Sequence, residues 1–97
     1  LIFDEIDSGV DASAGDAIAH ALSAAASGRQ IIVVTHLATV AAAATSHLVV
    51  DKHHVGDTPH STIGRVDGVD REREIARMLT GSDDSESVTV ARRLLER

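Results

Sequence analysis

Two short stretches carry side chains suited to phosphoryl-transfer chemistry. The first is Leu1-Ile2-Phe3-Asp4-Glu5, an apolar run that stops at two adjacent carboxylates. Hydrolysis of a magnesium-bound nucleotide depends mainly on positioning and on neutralising developing charge, and an apolar strand that delivers such a pair suits it. Asp4 would orient the Mg²⁺ shell, because that ion takes one or two carboxylates and keeps several waters. Glu5, one residue on, could reach the attacking water as base or water-positioner. The second stretch, Gln30-Ile31-Ile32-Val33-Val34-Thr35, is a continuous β-branched run that ends at His36. A neutral imidazole donates and accepts a hydrogen bond, so His36 could sense a γ-phosphate and hold the attacking water as well. Each stretch alone has a plainer reading: Asp-Glu as the opening of a solvated turn, and the histidine as a satisfied strand terminus. Two chemically suitable strand ends at this separation favour the chemical reading of the pair.

The elements that must position these groups follow from the hydrophobic pattern. Leu1 to Phe3 reads as the end of a buried strand, and residues 6–11, with Asp7, Ser8 and Gly9, as a turn-rich loop. Because the chain opens inside an apolar run with no cap or turn before it, a preceding part of the same protein is expected as its partner. Ser8-Gly9-Val10-Asp11 suits a tight turn and helix N-cap, with Asp11 or Ser13 accepting amide hydrogen bonds. Ala12 to Ser27 predicts an alanine-rich helix with Ile18 and Leu22 on one face and Gly28 as its stop. Gln30 to Thr35 predicts a strand buried on both faces, and residues 37–45 a short helix. His47 to Lys52 predicts a further strand, His53 to Pro59 a polar loop, and Ser61 to Val66 an edge strand closing a hairpin. Asp70 to Leu79 predicts an amphipathic helix with Ile75, Met78 and Leu79 inward, ending at Gly81. Asp83, Asp84 or Ser85 could cap a last helix through Glu96. Strand–helix alternation of this kind implies α/β architecture with a mostly parallel sheet. Such sheets gather active groups at the carboxyl ends of their strands, where Asp4, Glu5 and His36 fall.

Composition sets the limits. At 97 residues the chain is at most one small domain, and with 43% apolar residues but 1% aromatic its core must be a thin Ala/Val/Ile/Leu layer. The absence of cysteine excludes disulfides and thiolate metal sites. A formal charge of −6 disfavours the segment as a DNA-binding surface on its own. No run reaches a membrane span, and no basic-then-apolar leader opens the chain, so a cytoplasmic protein is expected. His53, His54 and His60 could offer zinc ligands, but lack a clear fourth and read better as a solvated loop. Arg71, Arg73 and Arg77 alternate with Glu72 and Glu74 as in a salt-bridged helix face, while Arg92, Arg93 and Arg97 suit a helix C-terminal dipole. The single lysine, Lys52, lies outside any Gly-x-x-x-x-Gly-Lys context, so no phosphate-cradling loop is present and the isolated chain is expected to bind ATP weakly or not at all.

These segments together resemble a known family. Leu1-Ile2-Phe3-Asp4-Glu5 is similar to a Walker B strand with its catalytic glutamate, Ser8-Gly9-Val10-Asp11 falls where ABC ATPases carry the D-loop, and Val34-Thr35-His36 is similar to their switch-histidine segment. Ile6-Asp7 follows Glu5 where ABC transporters carry Pro-Thr, which points away from transporters and toward the SMC-like branch. Within that branch, Asp4-Glu5-Ile6-Asp7-Ser8-Gly9-Val10, Val33-Val34-Thr35-His36-Leu37, His47-Leu48-Val49-Val50-Asp51-Lys52 and Glu74-Ile75-Ala76-Arg77-Met78-Leu79 resemble the RecN family of bacterial DNA-repair ATPases, from Leu1 to about Gly81. Ala38-Thr39 departs from the Pro-Gln usual after the His-Leu pair, and the loop at 55–60 matches no family pattern. The resemblance implies the C-terminal lobe of a P-loop, ABC-type head over residues 1–97, ending in a hairpin and two helices. Walker A, signature loop and coiled coil would lie elsewhere. It implies ATP and Mg²⁺ as cofactors, Asp4 near the metal, Glu5 activating water and His36 contacting the γ-phosphate. Ser8, Gly9 and Asp11 would meet a second head across a homodimer. DNA would be engaged through the intact, nucleoid-associated protein during repair of double-strand breaks. A structural, chromosome-organising SMC head is the alternative, to be distinguished by the length of the coiled-coil arms.

Overall fold

The computed structural model describes residues 1–5 and 12–97. The described residues form a small α/β unit with four α-helices and two small sheets. Strand β1 (Ile2–Asp4) pairs in parallel with β2 (Ile32–Val34). Between them, a 3₁₀ turn (Ala12–Ala14) leads into helix α1 (Gly15–Ala25), and β2 is followed by the five-residue helix α2 (Ala38–Ala42). Strands β3 (His47–Val55) and β4 (Thr58–Val66) make an antiparallel hairpin, and helices α3 (Gly68–Thr80) and α4 (Ser85–Leu95) complete the chain.

The expected mostly parallel sheet of a P-loop head is not formed. Only β1 and β2 are parallel, and β3 pairs with β4 in a separate sheet. The reason is local: Gly56 (φ 64°) and Asp57 form a two-residue connection whose left-handed first position needs glycine, so β3 zips onto its sequence neighbour with little loop-closure cost. The pairing runs from His47↔Val66 to Val55↔Thr58, so His53 to Pro59 is mostly strand rather than the polar loop expected. Pro59 is tolerated because β4 is an edge. The expectation that 30–35 would be buried on both faces also fails. Ile32 and Val34 stay about half exposed, and Leu1 and Ile2 more so, because a two-stranded sheet has little surface with which to cover them.

The core lies instead under the helices. Ile75, Ala76 and Ala91 are fully buried where α3 crosses α4, with Ala38 and Ala41 of α2 against them and Met78, Val88 and Leu94 filling the rim. Alanine at these positions lets the helix backbones approach, giving the thin, ring-free layer that the composition requires. Leu79, expected inward, is 38% exposed; its neighbour Ala76 holds the inner position one turn below Thr80. Gly81 (φ 82°) ends α3 with its N–H on the Arg77 carbonyl at 2.8 Å, the left-handed cap glycine favours. Of the three candidate caps for α4, Asp84 is the one used: its carboxylate accepts from the Ser87 N–H at 2.8 Å, and this bond draws its pKa below the usual carboxylate range. Residue Ala14, preceding α1, makes no side-chain cap; of the two caps expected there, Ser13 lies inside the 3₁₀ turn and Asp11 lies outside the described residues.

Candidate functional site

The parallel register fixes the site. Ile2 opposes Ile32, Phe3 opposes Val33 and Asp4 opposes Val34. The Glu5 N–H donates to the Val34 carbonyl at 2.8 Å, extending the ladder one residue beyond the strand. Both strands therefore end at the same edge, with Asp4 and Glu5 leaving one and Thr35 and His36 leaving the other. All three candidate groups, Asp4, Glu5 and His36, are solvent-exposed at that edge. Ser8, Gly9 and Asp11 lie outside the described residues.

Glu5 adopts φ 50°, the only left-handed non-glycine residue among those described. That conformation costs an ordinary side chain about 1–2 kcal/mol, and such outliers cluster where a side chain must be aimed.

His36 lies inside a local turn that leads into α2. The Thr35 Oγ1 accepts from the Leu37 N–H at 3.0 Å, a hydroxyl turn that spans His36 and starts α2. At its far end α2 presents carbonyls with acceptor capacity to spare, that of Ala41 already taking the Ala44 N–H at 3.2 Å. Arg71 of α3 reaches them, one Nη2 nitrogen donating to the oxygens of Ala41 (3.2 Å), Ala42 (3.3 Å) and Ala44 (2.7 Å). A guanidinium at a helix C-terminus satisfies orphan acceptors and complements the negative end of the dipole. The start of α1 packs on α2 at Gly15, where an added Cβ would collide with Thr39 Oγ1.

Neither Thr35 nor Arg71 was identified from sequence as supporting the site. Thr35 could have been, since a threonine two residues before a helix start is a local capping signal. Arg71 could not, because its partners lie about thirty residues away and its own helix reads as a charged surface. The rest of that surface behaves as expected: Arg77 bridges Glu74 (3.1 Å) and Asp83 (2.9 Å). Arg92, in the last turn of α4 as expected for the helix dipole, also pairs with Glu72 at 2.8 Å, joining α4 to α3 and drawing the Glu72 carboxyl below its usual range. Arg97 reaches Asp16 of α1 at 3.1 Å.

His47 is buried at the base of the hairpin. Burial and then the charge of Arg71 lower its pKa, with Glu74 opposing. Its Nδ1 and the Arg71 Nε are the buried side-chain nitrogens without a hydrogen-bond partner among the described residues. The remaining histidines are not a cage: His53 and His60 are cross-strand neighbours with rings stacked 5.9 Å apart, His54 faces the other side of the hairpin, and no group of three or more metal-ligating side chains occurs among the described residues. No described helix is long and apolar enough to cross a membrane.

No protein-family model matches the chain. Individual proteins do. The chain is 42% identical over 96 residues to the DNA repair protein RecN of Streptomyces coelicolor, an alignment covering 98% of this chain and 17% of that protein. It is 45% identical over 97 residues to RecN of Mycobacterium tuberculosis (99% and 16%), and 41% identical over 95 residues to RecN of Deinococcus radiodurans (98% and 17%). The chain thus spans about a sixth of the length of these relatives. Near-complete alignment at this identity, repeated across three bacterial lineages, shows that the chain belongs to the RecN family as the counterpart of one segment of those proteins.

Proposed function

We propose that this segment supplies the hydrolytic edge of an ATPase head in a DNA repair protein. The observation that supports this most is the parallel register of β1 and β2, which brings an Asp-Glu pair and a histidine to one exposed edge. The donor set fits the cofactor: carboxylate oxygens are the ligands Mg²⁺ prefers, and an open edge leaves room for the waters and phosphate oxygens that normally fill its shell. In this reading Asp4 would hold the Mg²⁺ of Mg-ATP through water, and the metal would supply charge neutralisation at the phosphates. Glu5 accepts a proton from the attacking water. His36 hydrogen-bonds the γ-phosphate oxygen and the same water.

The cradle for the phosphates comes from another part of the same protein, since Lys52 has no glycine-rich loop around it. That part also completes the parallel sheet of a P-loop head and covers Ile2, Ile32 and Val34, which are too apolar to stand in water at their present exposure. Ser8, Gly9 and Asp11 contact a second head in a homodimer, as the resemblance implies. The role named for the relatives, DNA repair, extends to this chain as the proposed cellular role. DNA is engaged by the intact cytoplasmic protein at double-strand breaks, because a segment of charge −6 is a poor surface for it.

The test is Glu5→Gln in the full-length protein, which keeps the size and hydrogen-bonding reach of the side chain and removes its basicity. Loss of DNA-stimulated ATP turnover with nucleotide binding retained is the expected result. Unchanged turnover would reduce the strand-end carboxylates to a structural role.

A further inference from the structure

We propose that Arg71 is a positioning residue for His36, acting through α2. The inference rests on the ATPase reading above, and it concerns a residue that touches neither nucleotide nor metal in that reading.

Helix α2 has five residues, far fewer than an isolated helix needs to hold its shape in water. Its internal bonding is correspondingly sparse, and its buried face is Ala38, Val40 and Ala41, which offer little contact area. Its buried face packs on α1, α3 and α4, and its two ends add further anchors. At the start, the Thr35 hydroxyl holds the Leu37 amide across His36. At the finish, three carbonyl acceptors, Ala41, Ala42 and Ala44, converge on one nitrogen of Arg71. Arg71 itself is anchored on α3, whose next turn carries Ile75, the fully buried residue at the centre of the core. A continuous chain of contacts therefore runs from the core through α3 and Arg71 to α2, and ends two residues from the imidazole. With Arg71 removed, the Ala42 and Ala44 carbonyls turn to water, and α2 keeps its buried face and the Thr35 turn but loosens from its C-terminal end.

Misplacing a catalytic group by about 1 Å can cost on the order of 100-fold in rate. Because His36 acts on the γ-phosphate and the water, loosening it lowers kcat and leaves KM for ATP, set by the phosphate cradle elsewhere, nearly unchanged.

The experiment measures steady-state ATP turnover in the full-length protein for Arg71→Ala, Arg71→Lys, His36→Ala, the double variant Arg71→Ala/His36→Ala, and Glu5→Gln as reference. Arg71→Ala is expected to lower kcat at least tenfold at constant KM. Arg71→Lys, whose ammonium can reach the same carbonyls without the planar fork, is expected to recover part of that loss, and it keeps the test open should the alanine variant not fold. The decisive readout is non-additivity: the double variant should turn over no more slowly than His36→Ala alone, since a residue that only positions the imidazole has nothing to act on once it is gone. Multiplying losses in the double variant would overturn the inference, as would wild-type kcat in both Arg71 variants, provided His36→Ala and Glu5→Gln are impaired. If those two reference variants also turn over normally, the ATPase reading itself fails, and this inference with it.

Discussion

Gly15→Ala offers a direct test of how tightly α1 and α2 are joined beneath the candidate site. Alanine in a helix is ordinarily better than glycine by about 1 kcal/mol. Here the added Cβ would lie inside contact distance of Thr39 Oγ1, with Thr39 Cβ at 3.4 Å and Leu37 Cδ1 at 3.5 Å. The hydroxyl can swing away, but Thr39 is β-branched and α2 restricts it to few rotamers, so rotation exchanges the oxygen for a methyl. Leu37, already at ordinary contact, has little room to give. Overpacking of this kind costs about 1–3 kcal/mol, so after the gain in propensity a net loss of up to about 2 kcal/mol is expected. Hydrogen exchange in the full-length protein reads it locally: amides of residues 37–43 should exchange faster, by up to about 30-fold. Adding Thr39→Ala removes the colliding oxygen and should return exchange close to that of the Thr39→Ala single variant, a coupling of about 1 kcal/mol. Exchange in Gly15→Ala at or below the wild-type rate would refute the close-packing argument.

The other two expectations concern the core and the buried histidine. Ile75→Ala removes the one fully buried large side chain from a site lined by Ala76 and Ala91, which cannot expand to fill the space, so a loss of about 2–5 kcal/mol is expected in local stability of α3 and α4 by hydrogen exchange; a loss under about 1 kcal/mol would show that the core collapses around the cavity. His47 has a folded-state pKa below its unfolded value of about 6.5, so the unfolded chain binds its proton more tightly. Its neutral form therefore contributes stability that is fully present above about pH 6.5 and lost as pH falls through the lower folded value. Stability of the hairpin base measured from pH 7.5 down to 5 should fall in wild type and fall less steeply in His47→Gln; parallel profiles would remove His47 as the cause.

The sequence was most legible where a residue type alone determined local geometry. Gly81 ended α3, an acidic residue at 83–85 capped α4, and Ile75 lay inward, because caps and helical periodicity act over a turn or two. The edge that gathers Asp4, Glu5 and His36 was readable as well, since parallel strands joined by a helix must end on the same side. Longer-range choices were not legible. The β3–β4 hairpin was expected, but its extent was not, because the glycine of its two-residue turn was read as part of a longer loop. Burial of Ile32 and Val34 was inferred from their apolarity, but burial requires a covering layer, and only β1 stands beside β2 here. Arg71 had to be seen in three dimensions, since its three acceptors are 27 to 30 residues away and are backbone atoms that no side-chain pattern reveals.

The central claim is that the β1–β2 edge works on the γ-phosphate of ATP. A crystal structure of the full-length protein with Mg²⁺ and a non-hydrolysable ATP analogue tests it most directly. The account predicts the Asp4 carboxylate in the outer shell of the metal, and Glu5 and His36 within hydrogen-bond reach of one water in line with the γ-phosphate. A nucleotide bound with its phosphates away from this edge, leaving Glu5 and His36 in bulk solvent, would contradict it.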